Sequence, residues 1–255
     1  MISLLDNNMN RNEEDRMCAL APALKILNLT IEPNQRLIII GDIHGCYDEF
    51  INLLLYVNYD KNNDIIVSVG DLITKGPESS NVLNLFIQNK NCYAVMGNHE
   101  YCVNRWVEVF EHDIKSLPVG LRIGSEHESL AKLLTNEQIN YLRNLPHILR
   151  IDCYNLIVVH AGINPTIDID KNNVFDVTHI RNILPDGSTT ESTTNGVPWI
   201  DLWNGDKIII FGHDASRGIQ KTHNAIGLDT GCTYGKYLTC VIYPGEKIVS
   251  VPAIH

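Results

Sequence analysis

Five short apolar runs recur along the chain, and each meets a glycine beside Asp, Asn or His. Leu37-Ile38-Ile39-Ile40 leads into Gly41-Asp42-Ile43-His44-Gly45, and Ile65-Ile66-Val67-Ser68-Val69 into Gly70-Asp71. Tyr93-Ala94-Val95-Met96 leads into Gly97-Asn98-His99-Glu100, Leu156-Ile157-Val158-Val159 into His160-Ala161-Gly162, and Ile208-Ile209-Ile210-Phe211 into Gly212-His213. The runs are too short for core helices and rich in β-branched residues, so they read as buried strands. Between the first two, Phe50, Leu54 and Val57 recur at helical spacing; Val82, Leu85 and Phe86 do so between the second and third. Such alternation predicts a layered α/β fold. Ligands of α/β sheets bind at the C-terminal strand edge. Here that edge would collect Asp, Asn and His from five strands, with glycines permitting tight exits.

The rest of the chain bounds the reading. A length of 255 residues can bury a real core. The expected organisation is a polar tail over 1–16 and a single domain over 17–255. Within that domain, a mainly helical cap segment covers about 101–150, where Thr135 and Gln138 form a capping box. Residues 183–198 (ILPDGSTTESTTNGVP) read as an exposed flexible loop, a solvated insertion rather than a lid. The last hundred residues end in a hairpin of 237–243 and 247–250. No apolar run approaches the ~20 residues of a spanning helix, so no membrane partner is expected. The formal charge of −10 opposes a dedicated nucleic-acid binder. Seven cysteines, an odd number without a CxxC pair, read as reduced thiols. With no signal-peptide pattern at the start, the expected location is cytoplasmic.

Asp, Asn and His together make an oxygen and nitrogen donor set suited to Mn²⁺, Fe or Zn²⁺. The candidates are too many for one open site but right for two ions, which Asp71 could bridge. Two ions about 3.5–4 Å apart are a known device for displacement at phosphorus. Each motif alone has a plainer reading, since a Gly-Asp pair is often only a turn. A lone histidine is more often a satisfied polar group. His112, His127, His147, His179, His223 and His255 are read that way, and recurrence at strand ends sets the other histidines apart.

Taken in order, GDIHG, GDLITKG, GNHE, VVHAG and FGH resemble the motifs of calcineurin-like metallophosphoesterases. Gly227-Leu228-Asp229-Thr230-Gly231-Cys232 is similar to a late motif of the ApaH-like phosphatases. The resemblance covers roughly residues 36–245. It implies a four-layer α-β-β-α sandwich with mixed sheets flanked by helices. It also implies two divalent ions, Mn²⁺ foremost, with Zn²⁺, Fe or Co²⁺ also suited. Asp42 and His44 would hold the first ion, Asp71 would bridge, and Asn98, His160 and His213 would complete the second. His99 would be the general acid. The nucleophile would be a hydroxide bridging the metals, so no covalent enzyme intermediate is expected.

Lys75 stands where protein phosphatases of this superfamily have a phosphate-binding arginine, and it offers a point charge rather than a fork. Thr74 stands where they have an aspartate that orients the catalytic histidine. Arg181 is similar in position to a phosphate-binding arginine of the ApaH-like group, a surface arginine being its plainer reading. Ala215 stands where many relatives have a further metal-binding histidine. Glu100 would either orient the site or favour a helix N-terminus. The implied substrates are small phosphoanhydrides: a dinucleoside polyphosphate, typically diadenosine tetraphosphate cut symmetrically, or inorganic polyphosphate. Some relatives act on capped RNA ends. A protein Ser/Thr phosphatase is the alternative. A non-catalytic scaffold is a second, opposed by the presence of all six ligands and His99. Lys75, Arg181, Arg217 and Lys221 could offset the negative charge if they cluster.

Overall fold

Leu37–Ile40 is buried on both faces, which demands a packed layer on either side of it. A computed structural model describes residues 23–254; the tail expected over 1–16 lies outside the described residues. The strands are β1 (Ile26–Asn28), β2 (Leu37–Ile40), β3 (Ile65–Ser68), β4 (Cys92–Ala94), β5 (Ile148–Ile151), β6 (Leu156–Val159) and β7 (Asn182–Ile183). They continue with β8 (Thr189–Thr190), β9 (Val197–Pro198), β10 (Ile208–Phe211), β11 (Gln220–Lys221), β12 (Ala225–Gly227), β13 (Tyr237–Tyr243) and β14 (Lys247–Pro252). The helices are α1 (Tyr47–Tyr56), α2 (Ser79–Gln88), α3 (Asn98–Glu111), α4 (Glu126–Leu133), α5 (Asn136–Asn144), α6 (Val174–His179) and α7 (Trp199–Leu202).

One sheet has the order β14-β13-β2-β3-β4 and a second the order β1-β5-β6-β10-β12-β11. Both are mixed: β2, β3 and β4 are parallel while β13 is antiparallel to β2. Likewise β6, β10 and β12 are parallel while β5 is antiparallel to β6. The period-two alternation of strands sorts their side chains into layers. Leu37, Ile39 and Val67 meet Val158, Ile210 and Ile226 between the two sheets. On the outer face of the first sheet, Ile38, Ile40 and Ile66 pack on Phe50, Val82, Phe86, Val103 and Trp106 from α1, α2 and α3. On the outer face of the second, Ile157, Val159, Ile209 and Phe211 pack on Val177 and Trp199 from α6 and α7. The layers are therefore helix, sheet, sheet, helix.

Two local expectations differ from what the chain does. The third apolar run is a strand only over Cys92–Ala94; Val95 still donates to Ser68 O, and from Met96, which donates its N–H to Pro146 O, the chain leaves the sheet. The stretch 183–198, expected as a flexible loop, carries strands of a small antiparallel sheet ordered β8-β7-β9. Polar side chains in and beside it hold it: Asn182 Nδ2 donates to Asn195 O, Thr189 Oγ1 to Asp176 Oδ1, and Arg217 to Thr193 O. Thr135 and Gln138 do form a reciprocal cap at the start of α5. Among the described residues no helix is long and apolar enough to cross a membrane.

Ile210 is fully buried between the sheets. Ile210→Ala should destabilise the fold by about 2–5 kcal/mol, read from the urea midpoint; an unchanged midpoint would place this residue outside the load between the sheets.

Candidate metal centre and active site

The two sheets present the C-terminal ends of β2, β3, β6 and β10 to one edge, where the Gly-Asn-His-Glu turn into α3 also lies. Gly97 and Gly212 sit where no other residue could: an added Cβ would lie 2.2 Å from Asp71 Oδ1 or 1.9 Å from Asp42 Oδ1, respectively. The chain's sharp exits also impose backbone strain. His44, Asp71, Thr74, Lys75 and His213 all have positive φ, from 49° to 70°, a region side-chain-bearing residues seldom occupy.

Glu100 holds this loop system in place. Its fully buried carboxylate accepts N–H groups from Asp71 (2.9 Å), Leu72 (2.8 Å), Ile73 (3.3 Å) and Gly97 (2.9 Å). It stands in the first turn of α3, so it both orients the site and favours the helix start. Burial and then the Asp71 charge push its carboxyl up to about 8, against the pull of those donors.

Of the residues read as metal ligands, Asp71, Asn98 and His213 line a cavity of about 340 Å³ together with His99 and Asp229, and Asp42, His44 and His160 lie behind them in contact with that set. Asp71 belongs to two clusters of donor atoms lying within 4.8 Å of one another, one with His44 and His99, the other with His160 and His213. Asp42 Oδ2 is 4.0 Å from His44 Nε2, and both its oxygens accept the His213 N–H at 3.1 Å. Asn98 Oδ1 lies 2.9 Å from His160 Nε2 and 3.0 Å from His213 Nδ1.

These contacts test whether the donor set suits cations. Each ring spends its N–H on a backbone carbonyl: His44 Nδ1 on Ile73 O (3.1 Å), His160 Nδ1 on Val69 O (2.9 Å) and His213 Nε2 on His179 O (3.2 Å). Burial holds all three histidines below their ordinary value, His44 at about 4. The remaining nitrogens are therefore lone pairs. They face the Asn98 oxygen, as oriented here, and the Asp71 carboxylate, 3.5 Å from both His44 Nε2 and His160 Nε2. Acceptors crowded against acceptors need positive charge between them, and orientation of the opposite ring nitrogen by a carbonyl is what metal-bound histidines show. Burial, then Asp229 and Asp71, push the Asp42 carboxyl up for the same reason. The residues present fit divalent ions.

Lys75 Nζ lies 2.8 Å from His44 Nε2, an ammonium placed against one of those lone pairs, and 5.3 Å from the Tyr234 ring centroid. Arg181 lines the same cavity; it donates to His213 O and Glu191 O, while its buried Nε–H has no hydrogen-bond partner among the described residues. Lys236 is on the wall as well. Arg217 and Arg181 share Asp214, at 2.7 and 3.9 Å, while exposed Lys221 pairs with Glu246 away from the cavity. The four cations named from the sequence thus do not form one cluster.

His99 Nε2 is 3.9 Å from Asp71 Oδ2. Burial pulls its imidazole down to about 3, below the near-neutral range expected of a histidine. Its Nδ1 touches Thr74 Oγ1 at 2.5 Å and His127 Nε2 at 2.9 Å. Of the histidines expected to be ordinary polar residues, His127 is the correction. His127 meets His99, whereas His179 only lends its backbone carbonyl to His213 and its own ring is satisfied by Thr178 Oγ1 and Phe175 O, as a plain polar residue would be. His127 carried no signal, since it lies outside the motifs and approaches only through tertiary packing. His147 does behave as a satisfied polar group, accepting the Lys25 N–H. Asp229, which the sequence reading left without a role, is on the cavity wall.

Residues 35–242 match the calcineurin-like phosphoesterase family. Among curated relatives, bis(5'-nucleosyl)-tetraphosphatase PrpE, asymmetrical, of Halalkalibacterium halodurans is 30% identical over 84% of this chain and 93% of its own. The symmetrical bis(5'-nucleosyl)-tetraphosphatase of Wigglesworthia glossinidia brevipalpis is 28% identical over 84% of this chain and 97% of its own. A crystal structure of a candidate diadenosine tetraphosphatase superposes with TM-score 0.80 at 36% identity, covering 90% of this chain and 98% of that one. A protein serine/threonine phosphatase from Saccharomyces cerevisiae, at TM-score 0.58 and 15% identity over 91% of this chain and 84% of that one, shares the fold.

Glu100→Gln would turn an amide N–H toward backbone donors. Each orphaned buried N–H costs about 1–3 kcal/mol, so the urea midpoint should fall clearly. An unchanged midpoint would show that the four hydrogen bonds do not hold the loop.

Proposed function

The chain belongs to the calcineurin-like phosphoesterases and, within them, to the ApaH-like phosphatases, and on that premise we propose that it hydrolyses a phosphoanhydride bond of a dinucleoside polyphosphate. One observation carries the reading: a cavity in which acceptor atoms converge on Asp71 also has Lys75, Arg181 and Lys236 on its wall. Such a site suits divalent ions and a small chain of phosphates together. The relatives named bis(5'-nucleosyl)-tetraphosphatase, aligned over most of their length, support that substrate class.

Asp42, His44 and Asp71 would hold one ion, and Asp71, Asn98, His160 and His213 the other. When bound, such a pair neutralises phosphoryl oxygens and makes a water more acidic. The chain's own groups do the rest. Arg181, whose Nε lies 3.9 Å from Asp214 Oδ2 without a hydrogen bond, can turn toward a phosphate oxygen, and Lys75 and Lys236 add point charges that align the phosphate chain. His99 presents Nε2 on the Asp71 side of the cavity, where it can protonate the departing oxygen. Its resting form is the neutral imidazole, so Nε2 takes its proton from solvent as the substrate binds, and the substrate's negative charge favours that uptake against the effect of burial. Thr74 and Lys75, in place of the aspartate and arginine of protein phosphatases, weigh against a phosphoprotein substrate.

The test is product analysis after Mn²⁺ reconstitution, with diadenosine tetraphosphate, inorganic polyphosphate and a phosphopeptide supplied in parallel. Cleavage of the dinucleotide is expected, AMP with ATP marking the asymmetric register and two ADP the symmetric one. His99→Asn should lower kcat about 10²–10⁴-fold while the fold is kept. Turnover of the phosphopeptide alone would overturn the reading in favour of a protein phosphatase.

A further inference from the structure

Building on His99 as the acid of the reading above, we propose that His127 is its positioning residue, brought into the site by α4 to hold the Nδ1 edge of the ring. Among the described residues, the one carboxylate ion-paired with His99 is Asp71, on the Nε2 side. The Nδ1 side has only neutral partners. The Thr74 hydroxyl directs its hydrogen to Ile73 O at 2.5 Å, which leaves Oγ1 as an acceptor. The Nδ1–H of His99 then lies between two acceptors, Thr74 Oγ1 at 2.5 Å and His127 Nε2 at 2.9 Å. The two imidazoles are stacked, with centroids 4.8 Å apart and planes 30° from parallel. The contact fixes both the rotation of the His99 ring and the tautomer that its Nδ1 carries.

Independent contacts hold His127 where it is. Ser125 caps α4 by accepting the Glu128 N–H. Glu126, the residue before His127, accepts the Lys75 N–H at 2.5 Å. Consecutive residues of one helix start therefore reach the loop and the ring. That loop carries Thr74 and Lys75 at φ of 69° and 64°, a conformation that persists only when surrounding contacts impose it. Farther along, Ala131 and Leu134 pack in the same core as Val103, Trp106 and Val107 of α3, the helix that bears His99. The spacing between the two histidines is thus set by a hydrophobic contact between their helices, and the hydrogen bond completes it.

A small misplacement of an acid costs rate steeply. A misplacement of about 1 Å can cost about 10²-fold, and a loss of up to that size is expected here for His127→Ala. The experiment measures kcat on a series of aryl phosphates whose leaving phenols span a wide range of acidity, for the wild type, His127→Ala, His127→Gln and His99→Asn. A positioning role predicts that the His127→Ala loss is largest for poor leaving groups. It should shrink toward none for nitrophenol, whose oxygen departs without a proton, in parallel with His99→Asn. His127→Gln, whose side-chain oxygen can accept the Nδ1–H, should recover most of the rate. Combined with His99→Asn, the alanine change should add little further loss.

A loss that is uniform along the series, or fully additive with His99→Asn, would overturn the proposal and leave His127 a packing residue. Circular dichroism and the glutamine variant separate that outcome from misfolding. If His99→Asn itself shows no dependence on the leaving group, the acid reading falls and the proposal falls with it. A slope present in His99→Asn but absent in His127→Ala counts against His127 alone.

Discussion

The site depends on one buried carboxylate. Glu100 takes four backbone N–H groups from two different strand exits, with the His99 N–H to Asp71 Oδ1 as a second tie between them. Asp71, Thr74 and Lys75 all stand on the loop it grips, each in a left-handed backbone conformation. Strain of about 1–3 kcal/mol per such residue persists because hydrogen bonds over-determine the loop. Ile43 and His44 donate to Asp71 O at 3.1 and 2.7 Å, and Gly76 donates to His44 O. The first two motifs therefore brace each other, and Glu100 braces the second against the third. A site held this way keeps its lone pairs facing inward although they repel.

That repulsion gives the centre its chemical character. Ordinary folding pairs donors with acceptors, yet here carbonyls consume every ring N–H of His44, His160 and His213, leaving oxygens and nitrogens to face each other. Lys75 covers one lone pair with its ammonium, which illustrates the charge the arrangement calls for. The same logic accounts for how a chain of net charge −10 can admit a polyanion. Lys75, Arg181 and Lys236 stand on the cavity wall, Arg181 sharing Asp214 with Arg217, and Lys221 is paired away from it with Glu246.

Much of this was legible in the sequence because strands advertise themselves. Runs such as Leu37–Ile40 and Leu156–Val159, buried on both faces, read as apolar without alternation, and the residues following them fall on one sheet edge by topology. Glu100 was singled out, although its two roles looked like alternatives when it performs both. What was not legible comes from lateral packing. His127 lies 28 residues from His99, on a helix whose pattern indicates only which face is buried. The edge strand β1 is largely exposed, so it lacks the burial pattern that marked the others. The strands of 183–198 are two residues long, below the length at which periodicity has meaning. Side-chain hydrogen bonds from Asn182 and Arg217 order them.

The most direct measurement is metal counting: equilibrium dialysis against Mn²⁺ followed by elemental analysis, for the wild-type chain and Asp71→Asn. A shared carboxylate between two donor sets predicts two ions per chain, with both weakened by the single substitution. One ion per chain, or two held as tightly after Asp71→Asn, would contradict the account.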